Sequence, residues 1–272
     1  MIVLLAIALL SQQSIASFST SAEHVRLFTG GKEFNYFSWT VNAIAEKIKA
    51  DIIDAQEYLP APVQKSLVLE YTDLIREKKQ LSSEIQDAYA NPADPNPQST
   101  IAAQRERLAQ IDRRLDFLAP LAESILQSQL SSVIADLGLS TLGVPLPPVR
   151  YHATPLPQAL IISPRDVIRQ DANISLQTDL TLEQAIALED RVSREMNVSS
   201  LVEQIGGVGT YPTMVEESSD IVWLTEVIAH EWTHNYLQLA PLGLNYDTSS
   251  ELRTMNETTA NLAGKEIRYA ML

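Results

Sequence analysis

Residues 219–244 read SDIVWLTEVIAHEWTHNYLQLAPLGL, and this stretch decides how the C-terminal half is organised. Ser218 or Ser219 caps a helix that runs from Asp220 to about Leu239, and Pro241 and Gly243 close it. Inside it, His230-Glu231-Trp232-Thr233-His234 places two histidines four residues apart, one turn above each other on one face. Both imidazoles can then reach a single metal ion. Glu231 stands beside them, where it can take a proton from a metal-bound water. The chain has only four His, and half of them fall in this pentapeptide. The flanking Val227, Ile228, Tyr236 and Leu237 are apolar, so the histidines sit on a helix that packs, and a buried imidazole requires partners.

Two histidines do not complete a catalytic zinc site, which takes three protein ligands and leaves a position for water. The sequence has no Cys, which excludes thiolate ligands, thiol nucleophiles and disulfides. Residue 240, six beyond His234, is Ala and not a third His. A carboxylate must serve. Glu257, within Met255-Asn-Glu-Thr-Thr-Ala-Asn261, lies on a last helix that begins near Ser250. A turn through Pro241–Asp247 can fold this helix back onto the histidines. Glu251 and Glu266 are the rivals, one at the helix start and one further along, and Glu257 is the better placed.

His230-Glu231-x-x-His234 followed by Asn256-Glu257-x-x-Ala260 resembles the gluzincin branch of the zincin metallopeptidases, thermolysin-like in ligand set. The resemblance covers about residues 205–265. It implies a zinc ion held by His230, His234 and Glu257, with Glu231 as general base and a peptide or protein as substrate. It also implies an edge strand before the active helix along which substrate lies. Gly206–Met214 corresponds to that strand, making Gly207, Gly209 and Tyr211 candidates for substrate binding, although a tight turn explains the glycines equally well. Where thermolysin-like enzymes orient the first His with an Asp one turn past the third ligand, this chain has Asn261, whose amide oxygen can take that place. Tyr211, Tyr246 and Tyr269 are the candidates for stabilising a tetrahedral intermediate. The competing expectation is a non-enzyme, an exported interaction module with a structural or degenerate zinc site.

Upstream, Thr181-Leu-Glu-Gln184 is a capping box opening a helix that runs to about Met196. Val149–Ala153, Ala159–Ser163, Ala172–Gln177 and the segment around Thr210–Val215 read as short strands. Gly143-Val-Pro-Leu-Pro-Pro148 reads as a linker. The expected class is therefore α+β, with a zincin-like domain over residues 144–272 that holds a small mixed sheet and the active-site helix. Its last helix is still running at Leu272, as in a truncated chain. Residues 35–140 read as an α-helical hairpin region. Phe37, Val41, Ile44, Ile48 and Ile52 repeat at helical spacing before Pro60. Leu67, Leu74 and Leu81, then Ile101, Leu108 and Leu115, repeat every seven residues on two helices. These flank a Pro-rich turn, Asn91–Gln98, after which Ser99 or Thr100 serves as cap. A short coiled-coil seam and ordinary core faces explain these heptads equally well, and neither reading gives this half any chemistry.

The remaining inferences concern compartment and partners. Residues 1–10, MIVLLAIALL, are an apolar run too short to span a bilayer. A polar stretch with the small-x-small Ser14-Ile15-Ala16 follows, so residues 1–22 read as a signal peptide or membrane anchor that lacks the usual basic start. The expected location is exported, extracytoplasmic or membrane-anchored, with membrane association through the N-terminus. The 272 residues are 45% apolar and 20% charged, ordinary globular usage, and the net charge of −14 opposes any phosphate-backbone surface, so nucleic acid is excluded as a partner. Asn173, Asn197 and Asn256 open Asn-x-Ser/Thr sites. A glycan on Asn256 would obstruct the site beside it, which argues against a glycosylating host and for a bacterial one.

Overall fold

A computed structural model describes residues 20–53, 58–90, 98, 101–167 and 169–272. The apolar run at residues 1–10, the turn at 91–97 and the caps proposed at Ser99 and Thr100 lie outside the described residues. Among those described, the class is α+β, with eight helices and two three-stranded sheets. The first four helices come in succession: α1 (Thr20–Thr29), α2 (Tyr36–Ile53), α3 (Ala61–Ala90) and α4 (Ala102–Asp136). Then follow β1 (Tyr151–Ala153), β2 (Gln158–Ser163), β3 (Ala172–Leu176), α5 (Leu182–Met196), β4 (Ser199–Gln204), β5 (Gly207–Val208) and β6 (Thr213–Val215). The chain ends in α6 (Ile221–Leu237), the one-turn α7 (Pro241–Leu244) and α8 (Ser250–Met271). No helix among the described residues is long and apolar enough to cross a membrane.

The helices α3 and α4 form the expected antiparallel pair. Glu70 pairs with Arg114 at 2.7 Å and Glu77 with Arg107 at 2.6 Å, seven residues on along one helix and seven back along the other. Between them Tyr71, Ile75, Ile111 and Leu115 are buried. Toward the base of the pair the core changes partners. Ile125, Leu126, Leu130 and Ile134 of α4 join Tyr151, Val215, Leu224, Ile228, Trp232 and Ile267 in one apolar cluster. The core therefore continues past Gly143 without interruption. The linker read at Gly143–Pro148 is itself docked, because Pro145 and Pro147 are buried and the Pro147 carbonyl accepts the Trp232 indole N–H at 2.8 Å.

The strand order β3-β2-β4 defines an antiparallel sheet whose inner face, with Leu160, Ile162, Ile174 and Leu176, is covered by α1 and α5. The other sheet runs β1-β6-β5, β1 parallel and β5 antiparallel to β6, so β5 is an edge. The capping box forms as read, with Thr181 accepting from the Gln184 amide and Gln184 from the Thr181 amide. Two local readings change. The helix α6, which carries the two histidines, is capped by Asp220, which accepts from the amides of Val222 and Trp223, while Ser218 only supports Asp220. An ionised carboxylate is the stronger acceptor for free N–H groups at a helix start. The helix also ends at Leu237, two residues early, because Pro241 starts α7.

The larger surprise is α2. Its apolar stripe forms a helix as its spacing requires, but Phe37, Val41 and Ile48 face solvent. The buried face is Tyr36, Thr40, Ala43 and Lys47. Lys47 is ion-paired with Glu123 of α4, which is also buried and accepts from the Ala153 amide at 2.8 Å, with the His152 ring at 3.3 Å. Burial alone would raise the Glu123 pKa, but Lys47 and His152 outweigh it and hold the carboxyl below its ordinary value. This half of the chain, read as devoid of chemistry, contains a buried ionic cluster.

Candidate metal centre

The face of α6 opposite the Pro147 hydrogen bond carries His230, Glu231 and His234. Trp232, Thr233 and Ile228 are buried toward the core, and the two imidazoles are left half-buried beside a cleft of about 490 Å³. The rings meet edge to face with their Nε2 atoms 3.0 Å apart. From α8, the Glu257 Oε2 lies 3.7 Å from His230 Nε2 and 3.6 Å from His234 Nε2. Two tight approaches make this convergence possible. Gly264 of α8 lies over α6 so closely that a methyl group there would sit 3.0 Å from the Glu226 carbonyl and 3.2 Å from His230 Cβ. The Asn235 amide of α6 donates to the Thr210 carbonyl at 3.1 Å, tying the β5–β6 turn to the helix.

That turn brings β5 against Glu231. A methyl group on Gly207 would lie 2.7 Å from one Glu231 carboxylate oxygen, and one on Gly209 would lie 3.5 Å from the other. Gly207 thus forms the seat of the Glu231 carboxylate, and no larger residue fits there without moving it. Burial raises the Glu231 pKa to about 7, with the neighbouring His234 and Glu257 as opposed, smaller influences. Burial, then the neighbouring His234, pushes His230 down to about 4. For His234, burial works downward but the Glu257 and Glu231 carboxylates and Asn256 outweigh it, so its pKa rises. Glu257 is held at about 2; burial opposes this, and the nearby His234 ring and the hydrogen bond from the Tyr246 hydroxyl prevail.

The last helix, α8, supplies a neighbour to each histidine. His234 Nδ1–H donates to the Asn256 amide oxygen at 2.7 Å, which directs its Nε2 toward the shared point, and the Asn256 amide in turn donates to the Leu242 carbonyl at 3.3 Å. Asn261 stands beside His230 and opposes the fall of its pKa. Asn261 was the expected supporting residue; Asn256 was not foreseen in that role, although its place beside Glu257 was the available signal. Of the three tyrosine candidates only Tyr246 reaches the site, its hydroxyl donating to Glu257 Oε1 at 2.5 Å. Tyr211, read as a substrate-binding candidate, corrects away from the cleft: its hydroxyl donates to the Pro148 carbonyl at 3.2 Å, because the β5–β6 turn carries it to the opposite side. Tyr269 is exposed under Arg268. The rival carboxylates Glu251 and Glu266 are exposed and do not line the cleft. The cleft's far wall is the outer side of β3, with Asn173 and Ser175, together with Arg26, Phe34 and Tyr36.

A ring nitrogen from each His and an oxygen of Glu231 all lie within 4.8 Å of one another. The two Nε2 atoms and Glu257 Oε2 make a tighter triangle, 3.0, 3.6 and 3.7 Å on its sides. Ligands at about 2.0–2.1 Å in a tetrahedral zinc site stand about 3.3–3.4 Å apart. The donor set and its spacing therefore fit zinc, with the fourth direction open to the cleft. No protein-family model, curated protein or solved structure matches the chain.

Proposed function

We propose that this chain is a zinc-dependent peptidase of gluzincin type with a zincin-like catalytic fold, His230, His234 and Glu257 holding the metal and Glu231 acting as general base. The observation that carries the reading is the triangle of donor atoms beside an open cleft, with a carboxylate of separate environment next to it. Zinc held by His230, His234 and Glu257 would supply a Lewis acid able to acidify water toward about pKa 7 and polarise a substrate carbonyl. Glu231, poised near 7 by burial, accepts the nucleophile's proton on its carboxylate and delivers it to the leaving amine. Asn256 holds the His234 imidazole in line, Asn261 stands beside His230, and Tyr246 holds Glu257. Peptide is the substrate class favoured by β5, an edge strand lining the cleft whose backbone suits pairing with an extended chain.

The competing reading is an interaction module around a structural zinc. Structural zinc sites are closed by four protein ligands, whereas this triangle faces a cleft. The deciding experiment is metal analysis combined with peptide turnover. We expect about one zinc per chain, and in Glu231→Gln retained zinc with hydrolysis of a mixed peptide pool reduced at least ~10²-fold, the scale of general-base catalysis. Zinc retained with no hydrolysis in the unaltered protein favours the structural reading, and a protein without zinc overturns both.

A further inference from the structure

A helix that packs on its own domain normally buries its apolar stripe. In α2 the stripe is outside: Phe37 is 77% exposed, Val41 50% and Ile48 54%, with Ile44 between them. The face rotated by one residue is inside, at the cost of burying Lys47, which Glu123 must neutralise. This patch follows the longest uncharged stretch of the sequence, residues 1–22, which opens on the apolar Ile2–Leu10. Residues 11–19 span at most about 30 Å when extended, so any surface that takes up the apolar run lies within about 30 Å of the start of α1.

We infer that the outward face of α2 lies on a lipid bilayer, as an interfacial helix whose Phe37, Val41, Ile44 and Ile48 enter the boundary between headgroups and acyl chains. The chain's net charge of −14 is repelled by anionic headgroups, so the favoured surface is zwitterionic and the contact is apolar and insensitive to salt. The inference is independent of the peptidase reading, since no residue of the patch takes part in the metal centre.

The absence of Cys allows one polarity-sensitive label to be placed anywhere in the full chain. Val41→Cys, labelled and mixed with phosphatidylcholine vesicles, should shift its emission to the blue and be quenched by brominated acyl chains. The same label at Ser82, exposed on α3, should stay silent. Adding Phe37→Ser and Ile48→Ser, both at exposed positions that leave the fold intact, should raise the lipid needed for the Val41 response at least about tenfold. An unchanged Val41 label in the presence of vesicles overturns the inference, whether or not the chain sediments with them. So does a response equal in the Ser variant, and so does a blue shift without lipid that grows with protein concentration, which would assign the face to a second copy.

Discussion

Among the described residues two clusters join histidine to carboxylate, and they are built differently. At the junction of α2, α4 and β1, Glu123 has its charge answered by Lys47 and its lone pairs taken by the Ala153 amide and His152; its side chain is 2% exposed. At the crossing of α6 and α8, Glu257 faces two imidazoles with no Lys or Arg paired to it among the described residues, and its side chain is 39% exposed toward the cleft. Both carboxyls are held below their ordinary pKa, so that property does not separate them. What separates them is where the donor atoms point. The first cluster closes on itself and acts as a clamp; the second leaves three lone-pair donors aimed at one accessible point.

The contrast should appear first in metal affinity. His230→Ala or His234→Ala should abolish stoichiometric zinc on purification, while His152→Ala should keep it; metal analysis of the three proteins would erase the distinction if His152→Ala were the one to lose zinc. The clamp should matter to stability instead. Glu123→Ala leaves Lys47 buried and unpaired, a change that costs about 3–5 kcal/mol, and denaturant unfolding should show it while the folded fraction still binds zinc. A smaller effect belongs to Asn256→Ala, which frees the His234 ring and should weaken zinc about 10-fold to 100-fold, as outer supports of metal ligands usually do. An unaltered affinity would mean that Glu257 and the helix alone orient His234.

The smallest effect concerns the metal-free protein. Because burial lifts Glu231 to about 7 from 4.5, the fold favours the neutral acid. The stability this contributes is full below about pH 4.5 and is lost as pH rises through about 7. Glu231→Gln removes that dependence. Metal-free melts of the two proteins should coincide near pH 4.5 and separate by a few °C in favour of the Gln variant at about pH 8. A separation that grows toward acid would show Glu231 to be stabilised as the anion.

The parts of this arrangement that were legible in the sequence are those fixed by local geometry. Four-residue spacing puts His230 and His234 on one face, and the capping box at Thr181 announces α5, whatever the rest of the chain does. The return of Glu257 to the histidines was legible because the chain offers no Cys and no third nearby His, and a helix has to turn back after Pro241. What was not legible depends on how separate elements meet. Gly207 as the seat of Glu231 exists only because Asn235 ties the β5–β6 turn to α6. Tyr211 and Tyr246 are alike in sequence terms, and the turn sends one away while α7 delivers the other. The outward stripe of α2 runs against the ordinary rule for amphipathic helices, and only the partner of Lys47, distant by 76 residues, reveals which face is inside. The seam between the helical half and the rest was read at Gly143 from composition, yet the core of α4 runs through it.

Asn256 also bears on how the protein can be made. It is 1% exposed, with both ends of its amide engaged by His234 and Leu242, and it opens the sequon Asn256-Glu257-Thr258. In a eukaryotic secretory pathway that sequon is met by the glycosylation machinery while the chain is still unfolded. A sugar attached then would hold the residue at the surface, leave His234 without its orienting acceptor and keep α8 from closing on α6. Material from such a host would divide at this position into an unmodified fraction able to fold and a glycosylated fraction barred from assembling the centre, whereas Asn256→Ser would remove this one sequon, with a short hydroxyl in place of the amide, and leave only those at Asn173 and Asn197.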